Sequence, residues 1–322
     1  MHNRRAFIER MAVSAGVAQL GFASSVTAQT TPGAKIIVPF PPGGQTDLFA
    51  RTVAQGIQQR SPQVITVENR PGAGGMIGLQ GLLGVPADGT TMLLATPATL
   101  IAPLLQKRNL DVLAEIEPVA LLASGGSLVL VNEKVPVTDL ASFVSYAKQN
   151  PGKLTYASNG PGSAAHLFTE YLKAQLGIDL MHVPYKGGAP AAMAIRTGEV
   201  DVIIIDEANA APLMKEGKVR AVAQTGLAAL DSFPRLARVA DVTPGFDASF
   251  WMGIVVKKGT PAATVDRLHQ LVSAVVQTEL QEPAKRAGFS IGTSSRTGFA
   301  EFMVRESDKW LRVIRTNNIT SS

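Results

Sequence analysis

The sequence predicts an α/β protein of two similar lobes, each a mostly parallel sheet flanked by helices, joined by two crossing strands. Three observations carry this. Short β-rich apolar runs alternate with helix-periodic segments over nearly the whole chain, the rhythm of parallel, doubly wound sheets. One strand–turn–helix phrase occurs twice, as Val38-Pro39-Phe40-Pro41-Pro42-Gly43-Gly44 and as Val183-Pro184-Tyr185-Lys186-Gly187-Gly188, about 145 residues apart. A longer apolar run, 119–131, is broken by Gly125-Gly126 and reads as a segment leaving the first lobe.

In order, residues 35–40 read as a strand and 47–60 as a helix with Leu48, Val53 and Ile57 near one face. Residues 64–68 are a second strand, 76–83 a helix and 91–95 a third strand. After the crossing, 140–149 is a helix stopped by Asn150-Pro151-Gly152, and 154–157 a strand. Residues 163–176 form a helix with Ala164, Leu167, Tyr171 and Ala174 at core spacing and Gly177 as its stop. Strands follow at 180–183, 200–205 and 219–224, with helices at 190–196 and 211–216 between them. Residues 250–256 read as a return strand, and 264–279 and 296–316 as terminal helices. The expected division is 29–123 with 251–322 for the first lobe and 124–250 for the second.

The N-terminus reads as an export signal. Arg4-Arg5-Ala6-Phe7-Ile8 is a twin-arginine sequence before a small-residue apolar run, and Val26-Thr27-Ala28 is a small-x-small cleavage site. Residues 1–28 are therefore set apart from the fold, with cleavage expected after Ala28 and a periplasmic destination. The run is too short and too rich in Ala, Gly and Ser for a membrane span, and no later stretch is long and apolar enough. Arg4, Arg5, Arg10 and Glu9 together contribute +2 of the formal net charge of +5, so the mature chain is weakly basic, with no Lys/Arg run. That argues against nucleic-acid binding. Without cysteine there is no disulfide, thiolate nucleophile or Cys-ligated zinc.

Both repeated phrases place an aromatic and a glycine pair between a buried strand and a helix start. Free N–H groups and the positive dipole end at a helix N-terminus suit an anion. Two such loops on two lobes would face one cleft and hold a small carboxylate. Candidate contacts are Phe40, Gly43, Gly44 and Thr46 on the first loop, and Tyr185, Lys186 and Gly187 on the second. Phe40 and Tyr185 either wall the cleft or anchor their loops. Lys186 is a solvated cation or attracts the anion. Thr96 and Ala98 follow the third strand at its carboxyl end, expected to face the cleft, although Thr96 serves equally as a helix cap. Ser158, Asn159 and Ser163 form a glycine-punctuated polar loop that can take a carboxylate oxygen or cap a helix. Asp206 ends the most apolar strand and bonds either loop backbone or a ligand amino or hydroxyl group. Asp47 reads as structural, because beside a carboxylate ligand it would repel.

Rival chemistries lack their residues. Gly72-Ala73-Gly74-Gly75-Met76-Ile77 puts Ile77 where the dinucleotide fingerprint needs its final glycine. His166 shares a helix face with Ser163, but there is no G-x-S-x-G elbow and no placed acid. The four histidines show no metal-ligand spacing. No catalysis, cofactor or metal is expected.

The first loop, together with Gln45-Thr46-Asp47, resembles that of the tripartite tricarboxylate transporter receptors, the Bug-type solute-binding proteins. Glu68-Asn69-Arg70-Pro71-Gly72-Ala73-Gly74-Gly75 is similar to the family's next signature, as are Tyr156-Ala157-Ser158-Asn159-Gly160 and His182-Val183-Pro184-Tyr185-Lys186-Gly187. Gly198-Glu199-Val200-Asp201 and Trp251-Met252-Gly253-Ile254 match in kind. The resemblance implies a monomeric protein of periplasmic-binding-protein fold. It would capture a di- or tricarboxylate, acidic amino acid or aromatic acid for membrane permease subunits, through loop backbone groups, hydroxyls and ordered water. An exported sensory module or an exported α/β hydrolase are the alternatives.

Overall fold

The structure, a computed structural model, describes residues 33–106, 110–317 and 319. The expected signal peptide lies outside the described residues. The chain runs β1 (Ala34–Val38), α1 (Gln45–Arg60), β2 (Ile65–Asn69), α2 (Met76–Leu83), β3 (Thr91–Ala95), α3 (Pro97–Leu105), α4 (Val112–Glu115) and β4 (Ile116–Gly125). It continues with β5 (Leu128–Asn132), α5 (Leu140–Gln149), β6 (Thr155–Ser158), α6 (Ala164–Leu176), β7 (Met181–Pro184), α7 (Gly188–Thr197), β8 (Val202–Ile205), α8 (Glu207–Lys215) and β9 (Val219–Gln224). Last come β10 (Phe250–Lys257), α9 (Ala262–Gln277), α10 (Gln281–Arg286), β11 (Ser290–Ile291) and α11 (Arg296–Thr316). Among the described residues no helix is long and apolar enough to cross a membrane.

Two sheets form. One has the order β11-β4-β10-β3-β1-β2, the other β7-β6-β8-β5-β9. The expected parallel pairing holds for β1 with β2 and β3, and for β6 with β7 and β8. The remaining pairings are antiparallel, so each sheet is mixed. The crossings cause this. The apolar run 119–131 is two strands: β4 ends in the first sheet at Gly125, and β5 begins in the second at Leu128. The return strand β10 runs against β3, and β5 runs against β8, which a run of apolar residues does not disclose.

Both faces of each sheet are covered, so the strands alternate between two cores rather than between core and water. In β1, Ile36 and Val38 enter one core and Ile37 the other. In β5, Val129 and Val131 face one core, Leu128 and Leu130 its opposite. Helix ends follow local chemistry. Asp139 caps α5 by accepting from Ser142 N at 2.8 Å, and Gly177 ends α6 with φ 61°.

Helices α3 and α11 contribute to cores of both sheets. Leu100 and Ala102 of α3, with Phe299 and Met303 of α11, pack on the first sheet. Ile101 and Leu105, with Trp310 and Val313, pack into a core of the second. Trp310 stacks on Phe168 with centroids 5.2 Å apart. Trp251 packs edge-on against Phe299 at 6.0 Å in the first-sheet core. Glu306 holds both indoles: Oε2 accepts from Trp310 Nε1 at 3.0 Å and Trp251 Nε1 at 3.2 Å, and Oε1 pairs with Lys309 at 2.5 Å.

Candidate functional site

A cavity of about 430 Å³ opens between the two sheets at the carboxyl ends of the parallel strands. That volume suits a small ligand, and strand carboxyl ends are where α/β sheets bind. The first lobe contributes the β1–α1 loop, from Phe40 to Thr46, with Phe250 at the start of β10 and Phe289 just before β11. The second lobe contributes one row along its sheet edge. Lys186 and Gly187 follow β7, Asn159 and Ser163 follow β6, and Asp206 and Asn209 follow β8. Ser127, just before β5, reaches the same edge because β5 is antiparallel to β8. Phe168, Ala164, Ala165 and Ile204 form an apolar floor.

Four helix N-termini line this cavity, and they differ. Helix α6 is capped by Ser163, whose hydroxyl accepts from His166 N at 3.3 Å. Helix α8 is capped by Asp206, whose Oδ1 accepts from Asn209 N at 3.1 Å while Oδ2 accepts from Asn209 Nδ2 at 2.7 Å. Helices α1 and α7 start at Gly44 and Gly187, and no side chain caps either. One uncapped N-terminus thus comes from each lobe. Their amides point donors, and their dipoles positive potential, at the cavity.

The lobes meet at glycines on either side of it. A Cβ on Gly187 would lie 3.4 Å from Pro41 Cγ, and Gly187 has φ 113°. A Cβ on Gly74 would stand 3.0 Å from the Gly162 carbonyl. At the far end, a Cβ on Gly288 would collide with the Glu207 carboxylate. The uncapped termini of α1 and α7 therefore share one end of the cavity, and the start of α8 sits at the other with Phe289.

Of the residues expected from the sequence, Phe40, Gly43, Gly44, Thr46, Asn159, Ser163, Lys186, Gly187 and Asp206 line this cavity. Four do not. Thr96 is fully buried, its backbone N–H donating to Thr99 Oγ1 at 3.0 Å, and Ala98 is 1% exposed. Both open α3, which turns into the layer between the lobes, so the third strand's end is covered by its own helix. Ser158 is fully buried behind the loop: its hydroxyl lies 2.6 Å from His182 Nε2 and accepts from Gly160 N at 3.1 Å. Tyr185 turns its hydroxyl to Glu199, donating at 2.7 Å, which holds the loop rather than walling the cleft. Sequence reasoning missed Gln45, Ser127, Phe168, Asn209, Phe250 and Phe289. Gln45 and Asn209 carried a signal, each lying within the first turn of a helix that starts at the site.

Asp47 is structural, as expected. Oδ2 accepts from Gly43 N at 3.0 Å and Arg51 Nε at 2.9 Å, and Oδ1 from Asn69 Nδ2 at 3.0 Å. Burial works against its charge, but these bonds outweigh it and keep the carboxyl below the usual range. They fix the first loop from behind. Arg70 pairs within its own lobe, at 2.6 Å from Glu68.

The second lobe's polar loop is held by a histidine stack. His166 and His182 lie with ring centroids 4.3 Å apart, and Tyr156 stacks on His182 at 4.8 Å. Gly162 N donates to His166 Nδ1 at 3.3 Å, which requires that nitrogen to be unprotonated. Burial lowers the His166 pKa; burial and then its neighbour His166 push His182 down to about 4. Both rings are neutral at physiological pH. Among the described residues, no three His, Asp or Glu side chains gather as a metal-holding group.

The family model for the tripartite tricarboxylate transporter family receptor matches residues 49–319. Protein BugT of Bordetella pertussis is 31% identical over 308 residues, 93% of this chain and 94% of that protein. Among solved structures, an R. palustris protein with adipate superposes with a TM-score of 0.82 at 29% identity, covering 89% of this chain and 98% of the other. MatC from Rhodopseudomonas palustris with bound malate gives 0.80 at 28% identity, covering 88% and 98%. A match running from the first helix to the end of the last, over the same two-sheet architecture, has one consequence: this chain belongs to the tripartite tricarboxylate transporter receptor family, the Bug-type solute-binding proteins.

Proposed function

We propose that this chain is a periplasmic receptor that captures a small organic carboxylate and presents it to the permease subunits of a tripartite tricarboxylate-type transporter. The observation that carries the reading is the pair of uncapped helix N-termini, α1 and α7, meeting from opposite lobes at one cavity. A carboxylate there accepts backbone N–H bonds from both lobes at once, so binding itself draws the lobes together. Lys186 adds positive field at the same end. Adipate and malate in two relatives support the ligand class. The ligand leaves unchanged: the polar groups lining the cavity bind and orient, and the Ser158 hydroxyl, paired with His182 Nε2 at 2.6 Å, is fully buried behind the loop. Of the expected site residues, the nine that line the cavity are proposed to meet the ligand. Ser158 and Tyr185 support their loops from behind.

The test is a thermal-shift panel of mono-, di- and tricarboxylates on the mature protein, followed by calorimetry on each hit against its amide. A charge-assisted hydrogen bond contributes about 1.5–3 kcal/mol, so the acid should bind at least tenfold tighter. Equal affinity for acid and amide would reject the carboxylate reading.

A further inference from the structure

The cavity is electrically asymmetric, and the sheet order shows along which axis. Lys186 follows β7 and Asp206 follows β8, with β6 between them. Two strand spacings separate the two positions, about 9–10 Å. The Lys186 end carries both uncapped helix N-termini. The Asp206 end carries a helix N-terminus already filled by the Asp206 carboxylate. Glu207, next in sequence, is 9% exposed, and its Oε2 has no hydrogen-bond partner. The Asp206 carboxylate is held by Asn209 and by the backbone N–H groups that open α8, and among the described residues neither carboxylate has an ion-pair partner. Between the two ends the lining is aromatic, with Phe40, Phe168 and Phe250, and Phe289 stands at the Asp206 end.

The geometry points to a bipolar ligand: one carboxylate at the Lys186 end, a ring-sized apolar body among the phenylalanines, and a hydrogen-bond donor, hydroxyl or ammonium, facing Asp206. This rests on the carboxylate reading above and narrows it. A second carboxylate at the Asp206 end would meet an anion of its own sign in a poorly solvated place, where repulsion is strong. Asp206 is half-buried and already accepts from Asn209 at both oxygens, and a donor on the ligand would add a bond to a carboxylate that has no cation beside it. Burial raises the Asp206 pKa, as expected of a carboxylate without a compensating cation. Asp206 is thereby assigned as the residue that reads the far end of the ligand and turns away diacids. Chains of the same family hold adipate and malate, so this is a prediction about specificity within the family.

Calorimetry with four rigid probes decides it: benzoate, para-hydroxybenzoate, para-(aminomethyl)benzoate and terephthalate. At least one donor-bearing probe should bind tenfold or more tighter than both benzoate and terephthalate, the ratio expected for one charge-assisted bond. The hydroxyl and amine arms separate the two donor types. Asp206→Asn keeps a capping oxygen for α8 and removes the charge. It should cut the donor preference at least tenfold and improve terephthalate binding. Terephthalate matching the donor probes in the parent protein overturns the inference, and so does an unchanged preference in Asp206→Asn. The parent comparison needs no variant and stands even if Asp206→Asn folds poorly. Binding of neutral para-substituted phenols with no carboxylate, as tightly as their acids, would instead bring down the carboxylate reading itself.

Discussion

Gly187 and Pro41 meet across the cleft: a Cβ on Gly187 would lie 3.4 Å from Pro41 Cγ, with the glycine at φ 113°. One is the N-cap of α7 in the second lobe, and the other stands in the loop before α1 in the first. The contact sets how closely the two uncapped helix starts approach the same ligand.

Gly187→Val should therefore weaken ligand binding by at least tenfold. A β-branched residue at this φ costs about 1–3 kcal/mol of backbone strain and presses on Pro41. Calorimetry reads the affinity, and circular dichroism checks that the lobes remain folded. Gly44→Val tests the partner loop: Gly44 has φ −86° and no atom within 4 Å of its missing Cβ, so the variant should fold normally and still lose affinity by filling the cavity. Parent-like affinity in folded Gly187→Val would remove the second loop from the site.

Glu306→Ala should destabilise the protein by about 2–5 kcal/mol, because two buried indole N–H groups lose their acceptor at once. Helix α11 still packs into the cores of both sheets through Phe299, Met303, Trp310 and Val313, so unfolding should remain one transition. Urea denaturation would show a lower midpoint with unchanged m. A stability loss below 1 kcal/mol would mean that the bridge does not couple the lobes.

Acid should weaken the fold through the histidine stack. His166 and His182 have pKa values lowered below their ordinary 6.5, His182 to about 4. Above about pH 6.5 their contribution is complete. As pH falls through that value the unfolded chain takes up protons that the folded one does not, so stability declines until His182 itself titrates near 4. Glu170 favours protonation and Lys173 opposes it, and burial outweighs both. The melting temperature should fall between pH 7 and pH 4.5, and less steeply in His182→Gln. Identical slopes in the two proteins would exclude the stack as the cause.

The twin-arginine reading makes a separate claim about export. Replacing Arg4 and Arg5 together with lysine should leave precursor in the cytoplasm, read by fractionation and immunoblotting. Normal periplasmic accumulation of the double variant would reject this route.

The order of strands and helices could be read from the chain because it depends on neighbours. Periodicity, Gly177 at the end of α6 and the Gly-Gly helix starts are local, and each appears where expected. The loops at 40–46 and 186–187 could be read as anion sites for the same reason: a helix that starts on glycine leaves its own amides free. What separates Asn159 from Ser158, or Lys186 from Tyr185, could not. In each pair adjacent residues point to opposite sides of one loop, and the choice follows from His182 and Glu199, which are distant in sequence from Ser158 or Tyr185.

The sequence by itself determined the two-lobed α/β plan, the family and the two glycine loops, since all of these reside in short contiguous stretches. Only the tertiary structure decided that the sheets are mixed, that α3 covers Thr96, and that the cavity has a cationic and an anionic end. The reason is the strand order β7-β6-β8: it sets Lys186 and Asp206 on either side of Asn159, although the chain visits Asn159 before both. Charge along a cleft depends on which strands pair, and pairing is settled by packing over the whole sheet rather than by any local run of residues.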